Sequence, residues 1–125
     1  MWAIIKKQFR SFGYAFRGIY RSLATQAHLQ FHALATLGVV LLAGYLRVSA
    51  HEWCILVLTI ALVWAAEIIN TAIEHLTDLV SPNYHPLAER TKDAAAGAVL
   101  ILAIGAVVVA AIVFLPKLYN LIYCF

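Results

Sequence analysis

The sequence predicts an all-α membrane protein: an amphipathic helix on the membrane surface followed by three transmembrane helices. Three observations point there. Hydrophobic residues make up 64% of the 125 and charged residues only 12%, against about 25% charged in soluble proteins. Apolar stretches recur at about 27–46, 53–80 and 92–115, each meeting the roughly 20 residues a helical span needs. No acidic residue precedes Glu52, so residues 1–51 carry only the bases Lys6, Lys7, Arg10, Arg17, Arg21 and Arg47.

The segment at about 2–22 interleaves Trp2, Phe9, Phe12, Tyr14, Phe16, Ile19 and Tyr20 with Lys6, Lys7, Arg10, Arg17 and Arg21. Aromatics facing lipid and bases facing headgroups make a helix that lies in the interface. That bias reads as membrane topology rather than nucleic-acid binding. The apolar residues alternate with bases and no cleavage site is evident, so no signal peptide is expected. The first span holds His28 and His32 one turn apart at its start, which read as interfacial histidines rather than a metal pair. Arg47 to Glu52 forms a short polar hairpin. The second span begins at Trp53, and Trp53 and Trp64 suit interfacial anchoring. Ser81-Pro82-Asn83-Tyr84-His85-Pro86 carries two prolines and breaks the helix. Leu87 to Lys92 re-enters helix, and the last apolar run is expected to stop at Pro116, leaving Lys117–Phe125 as an aromatic tail. Cys54 and Cys124 have neither metal-site nor disulfide spacing.

The bases sort by side. Lys6, Lys7, Arg10, Arg17, Arg21, Arg90 and Lys92 make seven on one side, and Arg47 and Lys117 make two on the other. Positive charge collects in the cytoplasm, which places the N-terminus and the 81–92 loop inside and the C-terminus outside.

The most informative stretch is Glu67-Ile68-Ile69-Asn70-Thr71-Ala72-Ile73-Glu74, with Asp78 one turn on. At 100° per residue, Glu67, Asn70, Thr71, Glu74 and Asp78 fall within about 60° of one line. A single charge in a bilayer costs roughly 2.5–3.5 kcal/mol on insertion scales. Three carboxylates on one stripe, beginning before the apolar run ends, therefore call for a metal, nucleotide, water or partner helix facing them. Glu67 sits nearest the membrane centre, where a lipid hydroxyl would be. Glu74 is an oxygen ligand suited to Mg²⁺, and Lys92 can neutralise phosphate. Neither GxxxxGK[ST] nor GxGxxG occurs, which excludes the P-loop and Rossmann routes to a nucleotide site.

Taken together, EIINTAIE and HPLAERTKDAAAGAVL resemble the small integral-membrane lipid kinases of bacteria, the diacylglycerol kinase and undecaprenol kinase family, over about Tyr14 to Lys117. The Lys-Asp segment with Ala-Ala-Gly-Ala is more similar to the undecaprenol kinase branch. The resemblance implies a homotrimer in the bacterial cytoplasmic membrane, with active sites shared between chains and facing the cytoplasm, that uses ATP and Mg²⁺. It implies Glu67 as catalytic base, Asn70 beside it at the lipid substrate, and Glu74 as metal carboxylate. It further implies Lys92 and Asp93 at the nucleotide, Asn83, Tyr84 and His85 in a loop over it, and Lys7 and Tyr14 on the surface helix that contacts nucleotide and headgroup. The small residues Ala94 to Ala98 suit close helix approach independently.

One position departs from the family pattern. Where relatives carry Asn-Glu before the first span, with that Glu a second metal carboxylate, this chain has Thr25-Gln26. Gln26 offers a carbonyl oxygen to a metal but no charge. Two other readings stand beside the kinase: a degenerate member kept as a non-enzymatic membrane binding or structural protein, and a small transporter or proton relay that uses the intramembrane carboxylates.

Overall fold

The structure is a computed structural model and describes residues 1–123. Four helices follow one another, α1 (Trp2–Thr25), α2 (Ala27–Tyr45), α3 (Ala50–Val80) and α4 (Pro86–Tyr123). Three of them, α2, α3 and α4, are long and apolar enough to cross a membrane. The chain is a multi-pass membrane protein.

α1 is helical over the stretch that alternates aromatics and bases. Its residues up to Arg21 are exposed wherever exposure is described. A single extended residue, Gln26 (φ −104°, ψ 115°), separates it from α2. The Gln26 backbone N–H still bonds the Ser22 carbonyl at 2.9 Å, closing α1 as α2 begins.

α2 and α3 run antiparallel. They are joined by a tight turn in which Arg47 takes the left-handed conformation (φ 49°). α3 starts earlier than the sequence suggested, at Ala50 rather than Trp53. The cause is a capping box: the Ser49 hydroxyl accepts from the Glu52 N–H at 3.3 Å, and the Ser49 N–H donates to Glu52 Oε2 at 2.6 Å. The second half of the polar hairpin expected over Arg47–Glu52 is therefore the first turn of a helix.

α3 ends at Val80, and α4 starts at Pro86, a first-turn position that suits proline because its missing N–H needs no partner there. α4 then runs through Pro116 to Tyr123, so the expectation that Pro116 stops the helix is wrong. Proline removes one internal hydrogen bond and crowds the preceding turn, but the turn beyond it is held from outside. Lys117 pairs with Glu52 at 3.1 Å, Leu118 rests on the core, and the Tyr119 and Tyr123 rings lie 4.6 Å apart. At 1.5 Å per residue the 38 residues of α4 extend about 57 Å, well past a ~30 Å hydrocarbon layer.

The buried core lies at the end of the 46–49 turn. Ala43 of α2, Val48, Leu56 of α3, and Val113 and Phe114 of α4 form it. Trp53 packs on this core, and Trp64, read from the sequence as an interfacial anchor, instead donates its indole N–H to Thr36 Oγ1 at 3.0 Å. Its half-buried place between α2 and α3 gives the N–H a protein partner in place of a headgroup.

Candidate functional site

The polar stripe of α3 turns inward at the opposite end from the core. Glu67 is 6% exposed, Asn70 8% and Thr71 4%. Glu74 is half-buried and Asp78 exposed. The stripe thus goes from dry to wet along one helix face. It is buried because α2 lies across it in an antiparallel register, in which His32 meets Glu67 and Thr36 meets Trp64. Leu29, one turn before His32 on α2, is fully buried.

Within the stripe, two contacts organise the carboxylates. His32 Nε2 lies 2.9 Å from Glu67 Oε1. Asn70 Nδ2 donates to Glu74 Oε1 at 3.0 Å, one turn apart on α3. Asn70 Oδ1 is buried with no hydrogen-bond partner. A buried carbonyl oxygen without a donor is destabilising by about 1–3 kcal/mol, and it marks a place where a ligand's hydroxyl, a water or a cation completes the shell. Gln26 makes no side-chain cap, and no hydrogen bond joins it to Glu74 among the described residues.

The second group of expected residues comes together at the α3–α4 loop. Asn83, Tyr84, His85, Lys92 and Asp93, with Asp78 and Glu89, line an open cavity of about 300 Å³. The loop is held locally. Ser81 Oγ donates to the Asn83 carbonyl at 3.0 Å, the Tyr84 hydroxyl donates to Glu89 Oε2 at 2.9 Å, and the Leu87 N–H donates to His85 Nδ1 at 3.1 Å. Lys92 is ion-paired with Asp78. Three carboxylates therefore face one lysine, and that lysine is already partnered. Such a wall repels a bare polyphosphate; it accepts one only with a cation or further basic side chains.

Lys7 and Tyr14, the other expected nucleotide contacts, stay apart from this cavity. Both are exposed on α1, no hydrogen bond or ion pair among the described residues ties them to the loop, and Tyr14 lies under Arg17 with the guanidinium 5.9 Å from the ring centroid. The described residues hold no cluster of three or more His, Cys, Asp or Glu side chains able to bind a metal. Cys54 is a free thiol on an exposed surface, and Cys124 lies outside the described residues.

Sequence reasoning read His32 as an interfacial histidine and missed its pairing with Glu67. Its signal was faint: a histidine at the start of an apolar run, with its partner 35 residues away on another helix.

Comparison with known proteins fits this arrangement. A family model described as prokaryotic diacylglycerol kinase matches residues 13–114. The undecaprenol kinase of Bacillus subtilis (strain 168) is 41% identical over 114 residues, covering 91% of this chain and 93% of that protein. The diacylglycerol kinase of Synechocystis sp. is 40% identical over 121 residues, covering 96% of this chain and 69% of that one. The diacylglycerol kinase of Escherichia coli (strain K12) is 35% identical over 96 residues, covering 77% and 79%. A match over most of the length, together with an inward carboxylate stripe set beside a polar loop cavity, leads to one conclusion: the chain belongs to the prokaryotic diacylglycerol kinase family.

Proposed function

We propose that this protein is a lipid kinase that transfers the γ-phosphoryl group of ATP to a membrane lipid alcohol, undecaprenol or diacylglycerol, with undecaprenol the first acceptor to try. The observation that carries this reading is Glu67: a carboxylate 6% exposed on an apolar helix, at the same end of the bundle as the loop cavity. A carboxylate there meets a lipid hydroxyl from the membrane side and a phosphate from the loop side.

In this scheme the Glu67 carboxylate accepts the proton of the lipid hydroxyl. The lipid oxygen bonds to the γ-phosphorus, the bond from that phosphorus to the β–γ bridging oxygen breaks, and ADP leaves with the electron pair. The orphaned Oδ1 of Asn70 accepts from the second hydroxyl of a glycerol acceptor or from a water beside a polyprenol. The Glu74 carboxylate and the Gln26 side-chain carbonyl would supply hard oxygen donors of the kind Mg²⁺ takes. Bound Mg²⁺ supplies charge neutralisation on the phosphate oxygens. One carboxylate and one amide carbonyl suit a cation that keeps phosphate and water in its shell, the usual habit of Mg²⁺.

The loop cavity takes the nucleotide, with Tyr84 as an exposed aromatic surface for the base and Lys92 for a phosphate, released from Asp78. The shortage of positive charge there is met by the bases of α1. Because Lys7 and Tyr14 of the same chain stand apart, the arrangement is completed by a neighbouring copy, in a homotrimer that faces the cytoplasm. α1 lies amphipathically on that surface. The exposed apolar residues along α2, α3 and α4 meet lipid or neighbouring copies.

The test is phosphate transfer from ATP to undecaprenol and to diacylglycerol in detergent, with and without Mg²⁺. Transfer to either lipid supports the reading, and transfer to neither overturns it. The absence of a carboxylate at position 26 favours a second reading, a degenerate member that binds but does not catalyse; a silent natural chain revived by Gln26→Glu would select it.

A further inference from the structure

Glu67 has one hydrogen-bond partner among the described residues, and it is a titratable group on another helix. The His32 side chain is 18% exposed and that of Glu67 7%. The surroundings offer no substitute. Thr36 is engaged by Trp64, and Asn70 turns its amide to Glu74. On its other side His32 borders a small apolar cavity lined by Ala35, Thr36, Val63, Trp64 and Ala106 among others. Water is therefore scarce around the pair, and an ionised carboxylate in such a place needs a donor. A His32 ring with its hydrogen on Nε2 donates to Glu67 Oε1 across this 2.9 Å contact.

We propose that His32 is the positioning residue for Glu67. It holds Oε1 and leaves Oε2 to take the lipid hydroxyl's proton. The assignment rests on the kinase reading above and adds to it a residue outside the carboxylate stripe. One donor on one oxygen also fixes the carboxylate plane, which a carboxylate without a partner on a flexible glutamate stem would lack. The titratable groups nearest the pair are His28, exposed one turn away on α2, and Glu74, two turns along α3 and bonded to Asn70. α1 contributes Arg21, which is exposed. α4 carries no ionisable residue between Ala94 and Leu115.

Two variants of the full-length protein in detergent separate positioning from packing. His32→Leu keeps bulk and removes the donor; His32→Gln keeps an N–H at similar reach. Loss of a hydrogen bond to a charged group lowers kcat by roughly 10- to 100-fold in His32→Leu, with the KM for ATP unchanged. His32→Gln restores most of the rate. The proposal is overturned if His32→Leu keeps kcat within about twofold, or if His32→Gln loses as much as His32→Leu.

An independent readout separates this proposal from the kinase reading. In ¹⁵N-histidine-labelled protein, Glu67→Gln shifts the His32 Nε2 resonance if the two groups are bonded. A shift supports the pair even in a protein that phosphorylates neither lipid, where only the kinase reading fails; an unmoved resonance overturns the pair even in an active kinase.

Discussion

The two ends of the three-helix bundle are built on opposite principles. At the 46–49 turn, the chain is self-sufficient. A capping box starts α3, Glu52 turns to Lys117, and Ala43, Leu56, Val113 and Phe114 close over one another. At the 81–85 loop, the chain leaves needs unmet: an orphaned amide oxygen, a carboxylate-rich cavity, and a basic helix whose residues up to Arg21 are exposed. The difference teaches where free energy of folding comes from and where it has been given up. Unmet polar groups at one end are tolerated because apolar packing at the other end holds the helices in register. The chemistry proposed for this chain draws on the end that a fold optimised for stability alone would have closed.

The largest effect expected from breaking that contrast is at Glu67. Glu67→Gln keeps shape and hydrogen bonding but cannot take a proton, and a lost general base costs about 10²–10⁴-fold in rate. The thermal midpoint in detergent should stay where it is. A variant that keeps more than about a tenth of wild-type turnover removes Glu67 from the role of base.

The mirror-image experiment is at the other end. Phe114, 6% exposed, is a central member of the packed cluster. Phe114→Ala should lower stability by about 3 kcal/mol, while turnover per folded molecule below the transition stays near wild type. Equilibrium unfolding together with activity measured on the folded fraction checks both halves. Equal losses in the two would mean that the ends are not independent.

A smaller effect is expected at Gln26. A unit charge pair at 4 Å is worth about 4 kcal/mol at an effective dielectric near 20, most of it offset by desolvation. Gln26→Glu should therefore lower the Mg²⁺ concentration for half-maximal activity by roughly tenfold. An unchanged midpoint in the Mg²⁺ titration would place Gln26 away from the metal and leave it as a helix junction.

The smallest effect belongs to the Glu52–Lys117 pair. Both side chains are about a quarter exposed, at 27% and 28%, and isolated pairs at a solvent-facing helix end contribute little. Lys117→Ala should shift the thermal midpoint slightly and leave phosphate transfer alone. A large shift would mean that Lys117 secures the helix beyond Pro116, and the last turns of α4 would then lose helicity in circular dichroism.

Sequence alone carried much of this arrangement, and physical reasons explain what it lost. The inward stripe was legible because Glu67, Asn70, Thr71 and Glu74 repeat at helical spacing inside an apolar run, where any polar residue needs a cause. The loop residues 83–85 were legible from two flanking prolines. Pro116 was misread because local stereochemistry is only half of a helix's stability; beyond it Leu118 rests on a core built by α2, α3 and the 46–49 turn, with the Glu52 pair a minor addition. Trp64 was misread for a related reason: composition gives an indole a preferred depth but not a partner such as Thr36. His32 escaped because a contact between helices depends on their register, and no spacing within one helix encodes it.

The junction at Gln26 has a mechanical consequence. α1 contains 24 residues and is about 36 Å long, and one extended residue joins it to the bundle. A rotation of about 10° at that elbow sweeps Trp2 through about 6 Å at the far tip of a lever of that length. Freezing one residue's backbone takes only about 1–2 kcal/mol of conformational entropy. A change in the backbone of that single residue would therefore carry every side chain of α1 with it.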